Sequence, residues 1–166
     1  MIILAIDPGT KCGWALRSER GEYLSGVWML KPMAHEGAGM RFLRFRSCLE
    51  QMPHVDLVAF EGVVQVHKSK AAAYVYNGLV ATLEAWYEER GINYMTIAVS
   101  AVKRAALGKG GGKGTGKPEM LQAARKQWPG HDWPIPNESD THGVYDEADA
   151  RWIAEAAFKQ VGQCAK

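Results

Sequence analysis

Asp7, Glu61, Asp146 and Asp149 are the residues of this 166-residue chain best placed to do chemistry. Asp7 closes the apolar run from Met1 to Ile6 and is followed by Pro8-Gly9-Thr10. Glu61 closes a second run, Leu57-Val58-Ala59-Phe60, and Asp146 and Asp149 open the last helical pattern. A carboxylate at the end of a buried strand is costly unless something pairs with it. Three separate segments that each bring carboxylate to an element end point to one shared site. The natural partner for such a set is a divalent, oxygen-loving cation. Two cations about 4 Å apart can bind the attacking water and the leaving oxygen of an in-line displacement. Metal-dependent phosphoryl transfer is the chemistry this pattern favours, and it needs no Cys or Ser nucleophile.

Helical spacing refines the last pair. Positions three apart share a face, so Asp146 and Asp149 point the same way. Glu147 is rotated by about 100° and reads as a solvated residue or a partner of the helix dipole. The net charge is only +2, but its distribution is uneven. Lys103, Arg104, Lys109, Lys113, Lys117, Arg125 and Lys126 face Glu119 alone between 101 and 126. A local basic stripe in a near-neutral chain suits a polyanion. His131 and His142 read as solvated loop residues, and Trp128 and Trp133 as packing anchors.

Residues 2–6 read as a buried strand, and 12–18 and 22–30 as two more separated by the Arg20-Gly21 turn. Helices are expected over 38–51, 69–90, 118–127 and 144–161, with a short one capped by Ser100 and running to Leu107. Strands are expected over 55–61 and 93–98. Gly91 is a good stop for the long helix, whose apolar residues surround much of its circumference. Either core burial or a second subunit would account for that. Residues 108–117 hold too many glycines to keep one conformation unaided. The order implies one three-layer α/β domain, 1–166, with a mixed sheet. Apolar stretches are far short of a membrane span. Cys12, Cys48 and Cys164 fit neither a zinc pattern nor a disulfide framework. The N-terminus has no signal-peptide pattern, so the expected location is cytoplasmic.

The strand ending Ile6-Asp7-Pro8-Gly9-Thr10, with Gly13 and Ala15 after it, resembles the opening of RuvC-type Holliday junction resolvases. Phe60-Glu61 followed by a long Ala-rich helix, and the closing Asp146-Glu147-Ala148-Asp149-Ala150, resemble that family in order and spacing. The resemblance implies an RNase H-like fold, a mixed sheet of about five strands flanked by helices. It implies a homodimeric crossover junction endodeoxyribonuclease of DNA recombination and repair, using two Mg²⁺ or Mn²⁺ ions to make paired symmetric nicks. Asp7, Glu61, Asp146 and Asp149 would be catalytic and metal-binding. The family's lysine after the fifth strand falls at Lys103, and the one opening the next helix at Lys117. Arg104, Lys109 and Lys113 join Lys103 and Lys117 as DNA-binding candidates. Where bacterial members carry an aromatic wedge, this chain has Val64, with His67 as the neighbouring candidate contact. The Gly- and Lys-rich loop suits a phage or prophage version acting on several branched DNAs. No branch-migration partner is identified.

Other readings compete. Gly111 to Lys117 matches the start of a P-loop, but Pro118 stands where Ser or Thr would bind Mg²⁺. Asp-x-Gly-Thr turns also occur in actin-like ATPases, which need a second lobe this chain lacks room for. A nuclease of RNA–DNA hybrids would use the same four acids. A non-catalytic junction-binding protein is the fourth reading.

Overall fold

The sheet is built outward from β1 (Ile3–Asp7), whose residues are fully buried up to Ile6. β2 (Lys11–Arg17) pairs antiparallel with β1, and β3 (Tyr23–Met29) antiparallel with β2. On its other side β1 pairs parallel with β4 (Leu57–Gly62), and β4 parallel with β5 (Asn93–Ala98). The order is β3-β2-β1-β4-β5, a five-stranded mixed sheet. The computed structural model describes residues 1–62, 69–137 and 142–164. Five helices flank the sheet: α1 (Met40–Glu50), α2 (Lys70–Arg90), α3 (Val99–Leu107), α4 (Lys117–Gln127) and α5 (Val144–Cys164).

Strand side chains alternate between faces, and the two faces carry different residues. Leu4, Ile6, Val58 and Phe60 pack under α1 and α2 against Phe45, Leu79, Leu83 and Trp86. Ile3, Ala5, Ala15, Ala59 and Ile97 pack under α3, α4 and α5 against Val102, Leu121, Ala148 and Ile153. The second face is lined by small side chains, and α5 sits directly on it. A Cβ on Gly13 would lie 1.9 Å from the backbone oxygen of Asp146. That backbone approach requires glycine.

Element boundaries fall within a few residues of the sequence reading, with physical differences at three places. Ser100 does not cap α3, which begins at Val99 after an extended Ala98 with no side-chain cap. The glycine-rich segment follows a defined path. Lys109 Nζ donates to the Lys113 carbonyl at 2.8 Å, and Thr115 Oγ1 to the Gly112 carbonyl at 2.8 Å. Thr115 is only 4% exposed, so a buried anchor supplies the order that glycine composition alone would not. Helix α2 buries one stripe, Leu79, Leu83, Trp86 and Tyr87, while Ala71, Ala72 and Tyr74 on its first turns are exposed. Ser69 caps it by accepting from Ala72 N at 3.1 Å, and Gly91 ends it at φ +62°. Among the described residues no helix is long and apolar enough to cross a membrane.

Candidate active site

The β1–β4 register places Ile6 beside Phe60, so the next residues, Asp7 and Glu61, end neighbouring parallel strands. Ile6 and Phe60 point into the α1–α2 core. By alternation Asp7 and Glu61 point to the α5 side. Tyr76 on α2 holds the β4 end by donating its hydroxyl to the Glu61 carbonyl at 2.8 Å. Helix α5 starts after Gly143, at φ +70°, and its first turn carries Asp146 on the backbone that rests against Gly13. Asp7 pairs with Gly13 across the β1–β2 ladder, so the approach of α5 to Gly13 also brings Asp146 towards Asp7.

Asp7 and Asp149 feel the charge of the neighbouring acids. Burial, then Asp149, Asp146 and Glu61, push the Asp7 carboxyl well above the ordinary range, while Lys117 opposes the shift. Asp149 is pushed up to about 7, chiefly by burial, with Glu61 and Asp146 adding and Lys117 and Lys103 opposing. Glu61 is raised by burial against the pull of Lys103 and Lys117. The Lys117 ammonium lies 2.9 Å from Asp146 Oδ1, and the surrounding acids hold its proton more tightly despite desolvation. Lys117 occupies the first turn of α4, where the helix dipole disfavours a cation. The acid cluster offsets that cost.

Six sequence-predicted residues therefore meet at one end of the sheet: Asp7, Glu61, Asp146, Asp149, Lys103 and Lys117. A cleft of about 480 Å³ opens between Asp7 and Glu61 on one side and Ala71, Ala72 and Tyr76 on the other. A second, of about 290 Å³, lies between Lys103, Thr115, Lys117 and Asp149 and shares Glu61. A cavity of about 540 Å³ sits at the opposite end of the sheet, away from these groups. Arg104 faces a separate hollow between α3 and α5 beside Lys159. Lys109 and Lys113 are exposed on the loop, with Lys109 tied to the loop backbone. Val64 and His67 lie outside the described residues.

The donor set fits a hard cation in charge and atom type. Four carboxylates crowd together, and burial and mutual repulsion make Asp7 and Asp149 hold their protons to unusually high pH. A divalent ion relieves that repulsion. The ligand geometry is not drawn around a single point: among the described residues no three His, Cys, Asp or Glu side chains converge closely enough to hold one ion. The Lys117 ammonium is the positive charge on Asp146 in this arrangement.

Two sequence expectations are corrected here. Glu147 is not solvated; it is 7% exposed, and its Oε1 accepts from Ser25 Oγ at 2.6 Å. His131 is not a free loop residue; its Nδ1 accepts from Arg151 at 2.9 Å and its ring packs on Trp133. Both lie on the side of α5 turned away from the acids, which periodicity identifies but cannot populate. Trp128 and Trp133 do pack against the α5 core, and His142 is exposed. Sequence reasoning missed the close approach of Gly13 to Asp146. The glycine following an apolar-end aspartate by six positions was its only signal.

Fold and site together define an RNase H-like domain with a carboxylate-rich centre at the C-terminal ends of its parallel strands. The chain is similar over nearly its whole length to a solved structure of Thermus thermophilus RuvC. Identity is 23%, TM-score 0.69, with 98% of this chain and 97% of that one covered. It is similar also to T. thermophilus RuvC in complex with Holliday junction substrate, at 20% identity and TM-score 0.71, covering 97% and 95% of the two chains. No protein-family model and no curated protein matches it.

Proposed function

We propose that the chain is a structure-selective DNA endonuclease that resolves Holliday junctions by paired nicks. The observation that carries this is the meeting of Asp7, Glu61, Asp146 and Asp149 with Lys103 and Lys117 at the strand ends. It occurs on a fold shared with a RuvC structure bound to a Holliday junction. Asp7, Glu61, Asp146 and Asp149 would hold two Mg²⁺ or Mn²⁺ ions. When bound, these supply charge neutralisation of the phosphate and acidification of a water. The reaction is hydrolysis: a water oxygen bonds phosphorus, a bridging P–O bond breaks, and the leaving alkoxide takes a proton.

The chain's own groups set the surroundings of that reaction. Lys117 and Lys103 oppose the negative charge of the acids. The same cations suit the equatorial phosphate oxygens, whose charge grows as the P–O bond breaks. Ala71 and Ala72 leave the cleft wall low beside Asp7, which lets a broad polyanion approach. The exposed Arg104, Lys109 and Lys113 would bind phosphate outside the acid centre, which positions DNA without reading its sequence. Paired nicks need two centres, and the described residues of this chain form one. A two-fold homodimer supplies the second.

The test uses purified chain and its Asp7→Asn variant on a labelled four-way junction, a fork, linear duplex and an RNA–DNA hybrid, with Mg²⁺ or EDTA. Symmetric paired nicks in the junction, lost in EDTA and in the variant, are the expected result. Equal cutting of forks would widen the substrate to branched DNA. Cutting of the hybrid alone would overturn the junction reading.

A further inference from the structure

Behind the acids lies a second polar cluster, on the opposite side of the first turns of α5. Glu147 and Arg151, 7% and 3% exposed, are among the few buried charged side chains of the described residues. Ser25 on β3 joins them: its hydroxyl donates to Glu147 Oε1 at 2.6 Å and accepts from Arg151 Nε at 2.7 Å. Arg151 also donates to His131 Nδ1 at 2.9 Å, which assigns the ring proton to Nε2. That Nε2 faces Glu147 Oε1 at 2.9 Å, off the line of a full hydrogen bond. Tyr23, Trp128 and Trp133 surround the Arg151 guanidinium at 5.2, 5.3 and 5.2 Å from their ring centres.

Burying two charges contributes little to stability compared with an apolar cluster of the same volume. What such a cluster does supply is a fixed arrangement. Glu147 is the neighbour of Asp146 on the helix, so its attachment to β3 sets the rotation of α5 about its own axis. The packing of the Asp146 backbone on Gly13 sets how far the helix stands from the sheet. Side chains project about 5–6 Å from a helix axis, so a rotation of about 10° moves a carboxylate by about 1 Å. A displacement of that size costs up to about 10²-fold in rate.

We infer that the Ser25–Glu147–Arg151–His131 cluster is a positioning device for Asp146 and Asp149, with Ser25 as its pin. Ser25 is the member that ties the cluster to the sheet by hydrogen bonds, one to each buried charge. The inference rests on the nuclease reading only for its activity arm.

The test compares the full chain with Ser25→Ala, which removes the shared hydroxyl, and Ser25→Thr, which keeps it on a strand-favouring side chain. Amide hydrogen exchange is followed over residues 144–150 without metal or DNA. Junction cleavage is followed in single turnover with Mg²⁺, alongside junction Kd. Ser25→Ala is expected to exchange about tenfold faster in that turn and to cleave about 10- to 100-fold more slowly. Its Kd should stay within about twofold of wild type, because every basic side chain that would meet phosphate is still present. Ser25→Thr should restore both exchange and cleavage. Unchanged exchange over 144–150 in Ser25→Ala overturns the inference. So does faster exchange along all of α5 that Ser25→Thr fails to rescue, and so does slow cleavage accompanied by a Kd weakened in proportion. If the wild-type chain cuts no junction, the nuclease reading fails and the exchange arm alone decides the positioning role.

Discussion

Asp7 stands in the least favourable setting of the four acids, pushed upward by burial and by three neighbouring carboxylates. Removing its charge should therefore help the fold while ending the chemistry. Asp7→Asn is expected to raise the metal-free melting temperature at about pH 8 by a few degrees, and to lower junction cleavage by about 10³-fold or more. Calorimetry and the nicking assay check the two effects separately. Asp149 gives a pH dependence with a definite sign. Its carboxyl titrates at about 7 in the folded chain against an ordinary 3.8. The folded state thus keeps a proton that the unfolded chain has lost. The contribution of Asp149 to metal-free stability is fully present below about pH 4 and is lost as pH rises through about 7. Melting curves from about pH 5 to about pH 8 should show that fall, Mg²⁺ should reverse it at the upper end, and Asp149→Asn should lessen it, with Asp7 supplying the remainder. Lys117→Ala leaves Asp146 without its cation at 2.9 Å. Cleavage should drop by about 10²-fold with junction Kd changed far less, since the loss is of charge stabilisation at the centre.

At the scale of elements, β1, β4 and α5 carry the site, and the packing of α5 on β2 fixes its dimensions. Gly13→Ala would place a methyl 1.9 Å from the Asp146 carbonyl oxygen, so α5 must move. The expected cost is about 1–3 kcal/mol of stability in denaturant unfolding, together with a loss of cleavage larger than the stability loss explains. These elements were largely legible beforehand. Runs such as Leu57 to Phe60 show their burial in their own composition, and an acid at the end of each run marks the site. Local patterns also gave Asp146 and Asp149 a common face. Glu147 does stand in the first turn of α5, but its burial is hidden from the sequence for a physical reason: helical periodicity reports which residues share a face, not what the chain packs there later. Its cover comes from Ser25 on β3, far away in sequence, and from His131 in the connection before α5. The Lys109–Lys113 and Thr115–Gly112 ties were hidden likewise, because glycine composition describes freedom and not the anchors that remove it.

For the whole molecule, Lys103 of α3 and Lys117 of α4 stand at the rim of the acid centre, and the loop that joins the two helices exposes Lys109 and Lys113. Binding to junction DNA should weaken linearly in log–log form with salt. Replacing Arg104, Lys109 and Lys113 together by Ala should reduce the slope by about 0.9 for each phosphate that is no longer neutralised. Titrations at several salt concentrations check this, and sedimentation of the free chain checks the proposed dimer. The two layers on either side of the sheet also differ in kind. Between the sheet and helices α1 and α2 meet Phe45, Phe60, Trp86 and Tyr87; where α5 meets the sheet, Ala148 of the helix faces a surface that includes Ala5, Ala15 and Ala59. Bulky cores tolerate trimming and swapping within limits of volume, whereas the alanines at the α5 contact have nothing left to trim. Heritable variation in this chain should therefore be lopsided. Substitutions would accumulate among the large residues of one layer, while in the other a single added carbon would lift the helix that bears half of the acids.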